Sequence, residues 1–324
     1  MFDDSPQIVR DFLYYLLTIK GRSPKTVDGY YIDIRNFLKY LKSNKEKILI
    51  EKSISEIDIK SVDIDFLSKI SLSDVYDYLN YVMSERKNNA NTRARKVSSI
   101  RALFRYLTLT THALNENPIK ELDMPTIKKT LPKYLTLEES IELLNSVNTI
   151  GSARDNCIIV LFLNCGMRLS ELVGINLQDI KENTLKLLGK GNKERIIYLN
   201  KSCNDALNVY FEERKSIKPK PGHENALFLS KFASRITPRR VEQIVETYLK
   251  SVDLSNKGFS PHKLRHTAAT LLYQHAHVDV RVLQELLGHS SLATTQIYTH
   301  VSNKQLKDAM SNSPLPSIDK KSKK

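Results

Sequence analysis

The sequence has few cysteines and no long apolar run. Its three cysteines, Cys157, Cys165 and Cys203, are too few and too far apart for a disulfide framework or a Cys-x-x-Cys metal site. No apolar stretch approaches the ~20 residues that a membrane-spanning helix needs. The opening segment MFDDSPQIVR is acidic and lacks the apolar stretch of a secretory signal. These absences predict a protein of the reducing cytoplasm.

The sequence also lacks the short motifs of two common enzyme classes. It has no G-x-x-x-x-G-K-[ST] loop, so we do not expect ATP hydrolysis. The histidines include two close pairs, His262/His266 and His275/His277, but no H-E-x-x-H pattern or Cys-His signature accompanies them. We therefore expect no metal site and no cofactor.

Positive charge is in excess, because 50 Lys and Arg stand against 36 Asp and Glu, a formal net charge of +14. Such a balance favours a polyanionic partner, most commonly nucleic acid, although an ordinary basic protein could carry the same charge. Hydrophobic residues make up 41% and charged residues 27%, which is typical of a globular chain. A length of 324 residues favours two domains over one.

Helical patterns dominate residues 1–123. The pairs Ser5-Pro6 and Ser23-Pro24 each predict a helix start, and apolar residues then recur with the 3.6-residue period. Two more amphipathic helices are predicted in SLSDVYDYLNYVMSERK and NTRARKVSSIRALFRYLTL. The polar stretch 44–71 is predicted to be a long irregular connection. These patterns indicate a small all-α domain of four helices.

A second domain is predicted over 137–312, after an extended linker at 124–136 that is rich in proline and lysine. Two short runs flank Gly-Lys-Gly-Asn at 189–192 and predict an antiparallel hairpin among helices. The expected fold is therefore mainly α, with an α-rich mixed α/β second domain that holds a small antiparallel sheet. Residues 313–324 are typical of a disordered basic tail.

Four clusters in the second half could carry chemistry. They are CGMRLSEL with Arg168 and Glu171, GKGNKER with Lys190, SPHKLRHTAATLL with His262 and Arg265, and LLGHSSLATTQIYTH with His289 and Tyr298. The helical spacing of His262 and Arg265 predicts that they point the same way. Each cluster has an ordinary alternative, since an arginine can cap a helix and a lysine in a turn is usually solvated. His266 is predicted to be a buried structural histidine.

These residue types together suit a transesterification on a phosphate without a metal. Two arginine forks can hold the non-bridging oxygens of one phosphodiester and stabilise a pentacoordinate dianion. A tyrosine hydroxyl can act as a covalent nucleophile. A lysine or histidine can protonate the leaving alkoxide.

Taken together, the four clusters resemble the catalytic boxes of the tyrosine recombinases, or phage integrases, and are most similar to the bacterial Xer type. The resemblance covers nearly the whole chain, and its helical amino-terminal part corresponds to the family's core-binding (SAM-like) domain. It implies a site-specific recombinase that cuts and rejoins duplex DNA, in chromosome-dimer resolution or mobile-element recombination. Glu171 falls where the family often has an acidic residue behind the site. The stretch 44–71 is longer than the family's usual connection.

The resemblance also implies a role for each catalytic residue. Tyr298 attacks the scissile phosphate and forms a 3′-phosphotyrosyl link, while Arg168 and Arg265 hold the phosphate. Lys190 protonates the leaving 5′-oxygen.

The two histidines have supporting roles under the same resemblance. His262 assists proton transfer at Tyr298, and His289 donates a hydrogen bond to a non-bridging oxygen. The implied assembly is a tetramer on two paired DNA sites, with or without a second recombinase. The alternatives are a type IB topoisomerase-like enzyme and a non-catalytic DNA-binding regulator.

Basic residues on predicted helices are candidates for phosphate contacts. Those of the amino-terminal domain are Lys25, Arg35, Arg93, Arg95, Lys96, Arg101 and Arg105. For any one of them, a solvated helix face is an equally good interpretation. Arg239 and Arg240 follow Thr237-Pro238 at a predicted helix start, from which they can enter a DNA groove.

Overall fold

A computed structural model of the chain describes residues 2–45, 54–127, 133–189, 194–276 and 278–288. The chain divides into two compact units, Met1–Lys129 and Thr130–Lys324, and each unit has its own apolar core. None of the helices in the described ranges is long and apolar enough to cross a membrane. The predicted linker and tail boundaries stay predictions.

The first unit contains the four predicted helices and one more. In chain order they are α1 (Gln7–Tyr14), α2 (Pro24–Lys45), α3 (Ile64–Ser68), α4 (Leu72–Ser84) and α5 (Ala90–Leu109). A π-helical turn extends α1 to Ile19, and a 3₁₀ turn covers Ile54–Glu56. The Ser23 hydroxyl accepts from the Thr26 N–H and caps α2 as predicted, whereas α1 begins at Gln7 with no side-chain cap.

The stretch 44–71 is not irregular throughout, and in this respect the prediction was wrong. It contains the 3₁₀ turn and α3, which Asp63 caps by accepting the Phe66 N–H at 2.8 Å. Five apolar side chains of this stretch are buried in the core of the unit, namely Ile57, Ile59, Val62, Leu67 and Ile70. The isoleucines that interrupt its polar sequence are therefore the anchors of the connection.

A buried carboxylate ties α2 to α5. Asp33 is fully buried and accepts from Arg95 Nη1 at 2.6 Å, Lys96 Nζ at 3.3 Å and Ser99 Oγ at 3.0 Å. A buried charge is tolerated only when it is paired and hydrogen-bonded, and all three partners come from one helix face. This cluster, Asp33 with Arg95, Lys96 and Ser99, is called the Asp33 cluster below.

The second unit is mainly helical and contains a small sheet. Its elements are α6 (Leu137–Ile150), α7 (Ala153–Cys165), α8 (Leu169–Gly174), β1 (Ile180–Lys181), β2 (Thr184–Leu188), β3 (Glu194–Tyr198), α9 (Lys201–Lys215), α10 (Pro238–Ser251), α11 (Pro261–His275) and α12 (Val280–Leu287). The predicted capping box of Thr136 and Glu139 starts α6. β2 and β3 pair antiparallel with Leu188 opposite Glu194, so the predicted hairpin is confirmed.

The most buried helix of this unit is α7, which contacts α6, α9 and α11. Cys165 lies at its end, with its sulfur 3.8 Å from that of Cys203 on α9, and both thiols are free and buried. Gly166 then stops the helix in the left-handed conformation, with φ of 56°. A Cβ on Gly166 would lie 2.9 Å from Leu287 Cδ2, so the absence of a side chain lets the end of α12 approach.

Candidate active site

The turn after α7 places Arg168 and Glu171 at the start of α8. The Glu171 carboxylate accepts the Arg168 backbone N–H at 2.7 Å and Arg168 Nη1 at 2.7 Å. A carboxylate in the first turn of a helix also interacts favourably with the helix dipole. Arg168 keeps 32% of its side-chain surface exposed, whereas Glu171 keeps only 2%. Arg168 therefore extends outward from the buried carboxylate of Glu171.

Arg265 reaches the same place from α11. Its side chain is 2% exposed and lies 3.9 Å from Glu171 Oε2. Nη1 donates to the Gly166 carbonyl at 2.7 Å, and Nη2 donates to the Leu287 carbonyl at 2.6 Å. The two arginines predicted from separate motifs thus meet around one carboxylate.

Sequence reasoning missed a third arginine of the site. Arg195 on β3 donates to both Glu171 oxygens, at 2.6 Å and 2.9 Å, and its Nε donates to the Leu286 carbonyl at 2.9 Å. The residue lies inside the motif GKGNKER and shares strand parity with the buried Ile197. That parity was the available signal, but the adjacent Ile196 makes the alternation ambiguous.

Glu171 is ionised across the whole physiological range. Burial acts to raise its pKa, but hydrogen bonds from Arg195 and Arg168, with the positive charge of Arg195, outweigh burial and hold the pKa at about 2. Its negative charge is thereby fixed among three guanidinium groups. A fixed anion of this kind orients the arginines without fully neutralising them.

His262 and His266 form a contacting pair on α11. Their Nε2 atoms are 3.2 Å apart, and their rings meet edge to face with centroids 4.6 Å apart. His266 is half-buried and touches a predicted catalytic residue, so it is less buried than the structural histidine that was expected. Burial, followed by the charges of His262 and Arg265, lowers the pKa of His266 to about 4. Partial burial and the charges of Arg265 and Arg168 also lower the pKa of His262.

His262 is exposed and Arg265 is buried, and the charges of Arg265 and Arg168 both act on the His262 ring. Lys190, His289 and Tyr298 lie outside the described residues, so their predicted roles stay predictions. Within the described ranges, no group of three or more His, Cys, Asp or Glu side chains could hold a metal ion.

The predicted phosphate contacts fall into two groups. Five are exposed and lie outside the Asp33 cluster, namely Lys25, Arg101, Arg105, Arg239 and Arg240, although Arg239 also pairs with Glu242 on its own helix. Arg239 and Arg240 lie in the first turn of α10, whose N-cap is Thr237 as expected. Exposure leaves these five residues available to a phosphate.

The remaining predicted contacts are engaged within the protein. Arg35 pairs with Asp4 at 3.3 Å, and Arg93 donates to the Asn88 carbonyl at 2.7 Å. Arg95 and Lys96 belong to the Asp33 cluster. The burial of Lys96, at 7% exposure, weighs against its predicted role as a surface phosphate contact.

Comparison with known proteins identifies the family to which the chain belongs. The profile of the Phage integrase family matches residues 133–305. The tyrosine recombinase XerC of Caldanaerobacter subterraneus subsp. tengcongensis is 47% identical over 312 residues, covering 96% of this chain and 87% of the relative. The tyrosine recombinase XerC of Thermodesulfovibrio yellowstonii is 35% identical over 308 residues, covering 92% of this chain and 93% of the relative.

Solved structures agree with this relationship. The XerH site-specific recombinase bound to difH substrate, in a pre-cleavage complex, has a TM-score of 0.67 at 26% identity, covering 88% of this chain and 79% of that one. A lambda integrase dimer bound to a COC′ core site has a TM-score of 0.64, covering 89% and 95%. Its 16% identity makes it similar in fold alone.

The chain belongs to the phage integrase family, the tyrosine recombinases. The predicted family, the predicted fold class and the prediction of a DNA strand-transfer enzyme are thereby confirmed.

Proposed function

We propose that this protein is a site-specific recombinase of the Xer type that cuts and rejoins duplex DNA through a phosphotyrosyl link at Tyr298. The observation that carries the proposal is the meeting of Arg168 and Arg265 at the fixed charge of Glu171, with His262 close enough to both arginines for their charges to act on it. Two guanidinium groups held side by side match the non-bridging oxygens of a single phosphodiester. Relatives named XerC, at up to 47% identity, support the same assignment.

In the proposed reaction, the Tyr298 oxygen bonds to phosphorus as the bond to the 5′-oxygen breaks. Arg168 and Arg265 stabilise the charge that develops on the phosphoryl oxygens. Lys190 gives its proton to the departing 5′-oxygen, His262 takes the proton that the Tyr298 hydroxyl loses, and His289 donates a hydrogen bond to a non-bridging oxygen. Rejoining reverses these steps with a new 5′-hydroxyl, so the energy of the phosphodiester is kept in the enzyme-DNA bond.

The proposed substrate is a duplex recombination site, and the proposed assembly is a tetramer on two paired sites. Support comes from solved relatives, among them a lambda integrase tetramer bound to a Holliday junction. The proposed setting is the cytoplasm, and the proposed task is chromosome-dimer resolution or recombination of a mobile element. Both curated relatives given above are named tyrosine recombinase XerC. The proposal covers action with or without a second recombinase.

The test traps the covalent intermediate on genomic DNA fragments. Wild-type protein is stopped with detergent, and the attached DNA is sequenced to map the cleaved site. Tyr298→Phe keeps the ring and loses one hydroxyl, so it should bind a duplex that carries the mapped site and form no adduct. Tyr273→Phe on α11 is the matched control and should form adduct normally. A detergent-stable adduct from Tyr298→Phe would overturn the assignment of the nucleophile.

Strand exchange separates the proposal from a topoisomerase-like activity. Two duplexes that carry the mapped site should recombine in the presence of the wild-type protein. Relaxation of a plasmid that lacks the site, with no exchange between paired sites, would contradict the proposal.

A further inference from the structure

The carboxyl end of α12 is bound by three arginines from three different elements. The N–H of Gly288 satisfies the carbonyls of Gln284 and Glu285. The next three carbonyls each accept from a different guanidinium group: Leu286 from Arg195 on β3, Leu287 from Arg265 on α11, and Gly288 from Arg168 before α8. The last carbonyls of a helix lack partners within the helix and carry its negative dipole end, so cations are favoured there.

Arg195 differs from the other two in how fully it is engaged. All three of its guanidinium nitrogens donate, two to Glu171 and one to Leu286, and its side chain is only 11% exposed. Arg168, by comparison, keeps a third of its side chain exposed. Arg195 is therefore placed to hold the Glu171 carboxylate and the Leu286 carbonyl, and not to bind a phosphate.

The backbone next to Arg195 leads directly to a predicted catalytic residue. A Cβ added to Gly288 would lie 3.2 Å from Arg195 Nη1, and Gly288 has φ of 62°, which favours glycine. The guanidinium group thus packs flat against the turn that ends α12. His289 is the next residue in the sequence.

We infer that Arg195 is a positioning residue for the strand-cleavage reaction. It joins the Glu171 carboxylate, and with it the guanidinium group of Arg168, to the end of α12 from which His289 follows. Without it, Glu171 loses two charge-assisted hydrogen bonds, and the end of α12 loses one of the contacts that hold it, beside the hydrogen bond from Arg168 to Gly288. The planar fork suits this task, because a lysine offers one point charge where three nitrogens bind.

This inference rests on the proposed function, and the test keeps the two apart. Single-turnover cleavage is measured at saturating concentrations of the mapped duplex, well below each variant's Tm. Arg195→Gln should cleave at least about tenfold more slowly, with unchanged affinity for the duplex. If the wild type itself forms no adduct, the proposed function fails. If the wild type cleaves and Arg195→Gln cleaves at the same rate, the positioning role fails.

Arg214 supplies a matched control. Its guanidinium group also binds backbone carbonyls of the second unit, those of Glu224, Ala226 and Leu227, but it does not touch the site. Arg214→Gln should lower Tm and leave the cleavage rate unchanged. Equal rate losses in the two variants, in proportion to their losses of Tm, would reduce Arg195 to a structural role.

Two further variants keep the test decisive. Arg195→Lys retains the positive charge and should still cleave slowly even where its Tm matches the wild type, so a wild-type rate would overturn the inference. If Arg195 acts through Glu171, the double variant of Arg195→Gln and Glu171→Gln should be no slower than the slower single variant. Additive losses would mean that the two residues act independently.

Discussion

Asp33 in the first unit and Glu171 in the second are each buried among basic side chains, but the two arrangements differ in what they join. Asp33 gathers all its partners from α5 and is fully buried, so it joins two helices. Glu171 takes its partners from β3 and from the turn before α8, with Arg265 nearby, and one of those partners stays partly exposed. At Glu171 the same kind of buried ion pairing joins several elements and leaves a cation facing outward, as the proposed active site requires.

The Asp33 cluster should show the larger effect on stability. Asp33→Asn removes the charge that compensates the buried Lys96, and breaking a buried pair in this way costs about 3–5 kcal/mol. Denaturant unfolding of the full chain, followed by tyrosine fluorescence, should show an earlier transition for the first unit. Asp65→Asn, an exposed acid on α3 paired with Lys69, is the control and should change little. An unchanged transition in Asp33→Asn would remove the cluster's structural role.

Glu171→Gln should cost somewhat less, and the cost should depend on pH. The folded pKa of Glu171, about 2, lies below the usual 4.5, so its stabilisation is full above pH 4.5 and is lost as pH falls towards 2. At neutral pH the variant should lose about 3 kcal/mol of unfolding free energy, and the gap should close in acid.

The exposed Glu194, on β3 beside Lys186, offers a matched control for that measurement. Glu194→Gln should change stability by less than about 0.5 kcal/mol at every pH. A Glu171→Gln effect that stays constant from neutral pH to acid would contradict the assignment of a low pKa.

At neutral pH the histidine pair should have a smaller effect than Glu171, because its penalty arises only as pH falls below 6.5. Because the pKa of His266 is lowered to about 4, the unfolded chain takes up its proton first as pH falls below the ordinary 6.5. Folding is therefore penalised between pH 6.5 and 4. His266→Asn should make Tm less sensitive to pH in that window, which a thermal melt series measures. An equal pH slope in variant and wild type would show that His266 does not titrate as expected.

DNA binding should show the smallest effect for each residue, and it separates Arg105 from Arg95, which is also exposed but donates to the buried Asp33. Arg105→Gln should reduce the slope of log K against log salt by about 0.9, the value for one duplex phosphate. Arg95→Gln breaks a bond to Asp33, so it should lower Tm. It should change the salt slope by less than Arg105→Gln does. Equal slope changes in the two variants would place Arg95 on DNA as well.

The sequence was most informative where a pattern repeats or a motif is long. Helix period and Ser-Pro starts predicted four helices of the first unit, and two of the four clusters singled out Arg168, Glu171 and Arg265, which lie together in the structure. Composition could not separate Lys96 from its exposed neighbours, because its burial depends on Asp33, which lies on another helix. Burial of that kind is a property of packing and leaves no local signature.

Arg195 shows the same limit within a recognised motif. Its neighbours Glu194 and Ile196 are both exposed, so neither charge nor hydropathy marks which strand face is inside. Only the pairing of β2 with β3, the position of Glu171 on α8 and the approach of α12 give that residue its three hydrogen bonds. The helical turns within 44–71 were missed for a related reason, since its buried apolar residues are spaced irregularly and form no periodic pattern.

The scarcity of cysteine has a practical consequence. All three thiols lie in the second unit, where Cys157, Cys165 and Cys203 are buried, and the first unit has none. A thiol reagent can therefore label the native chain only when the second unit opens. Alkylation kinetics, read by mass spectrometry, would time that opening with and without bound DNA, with no engineered label and no background from the other half of the molecule.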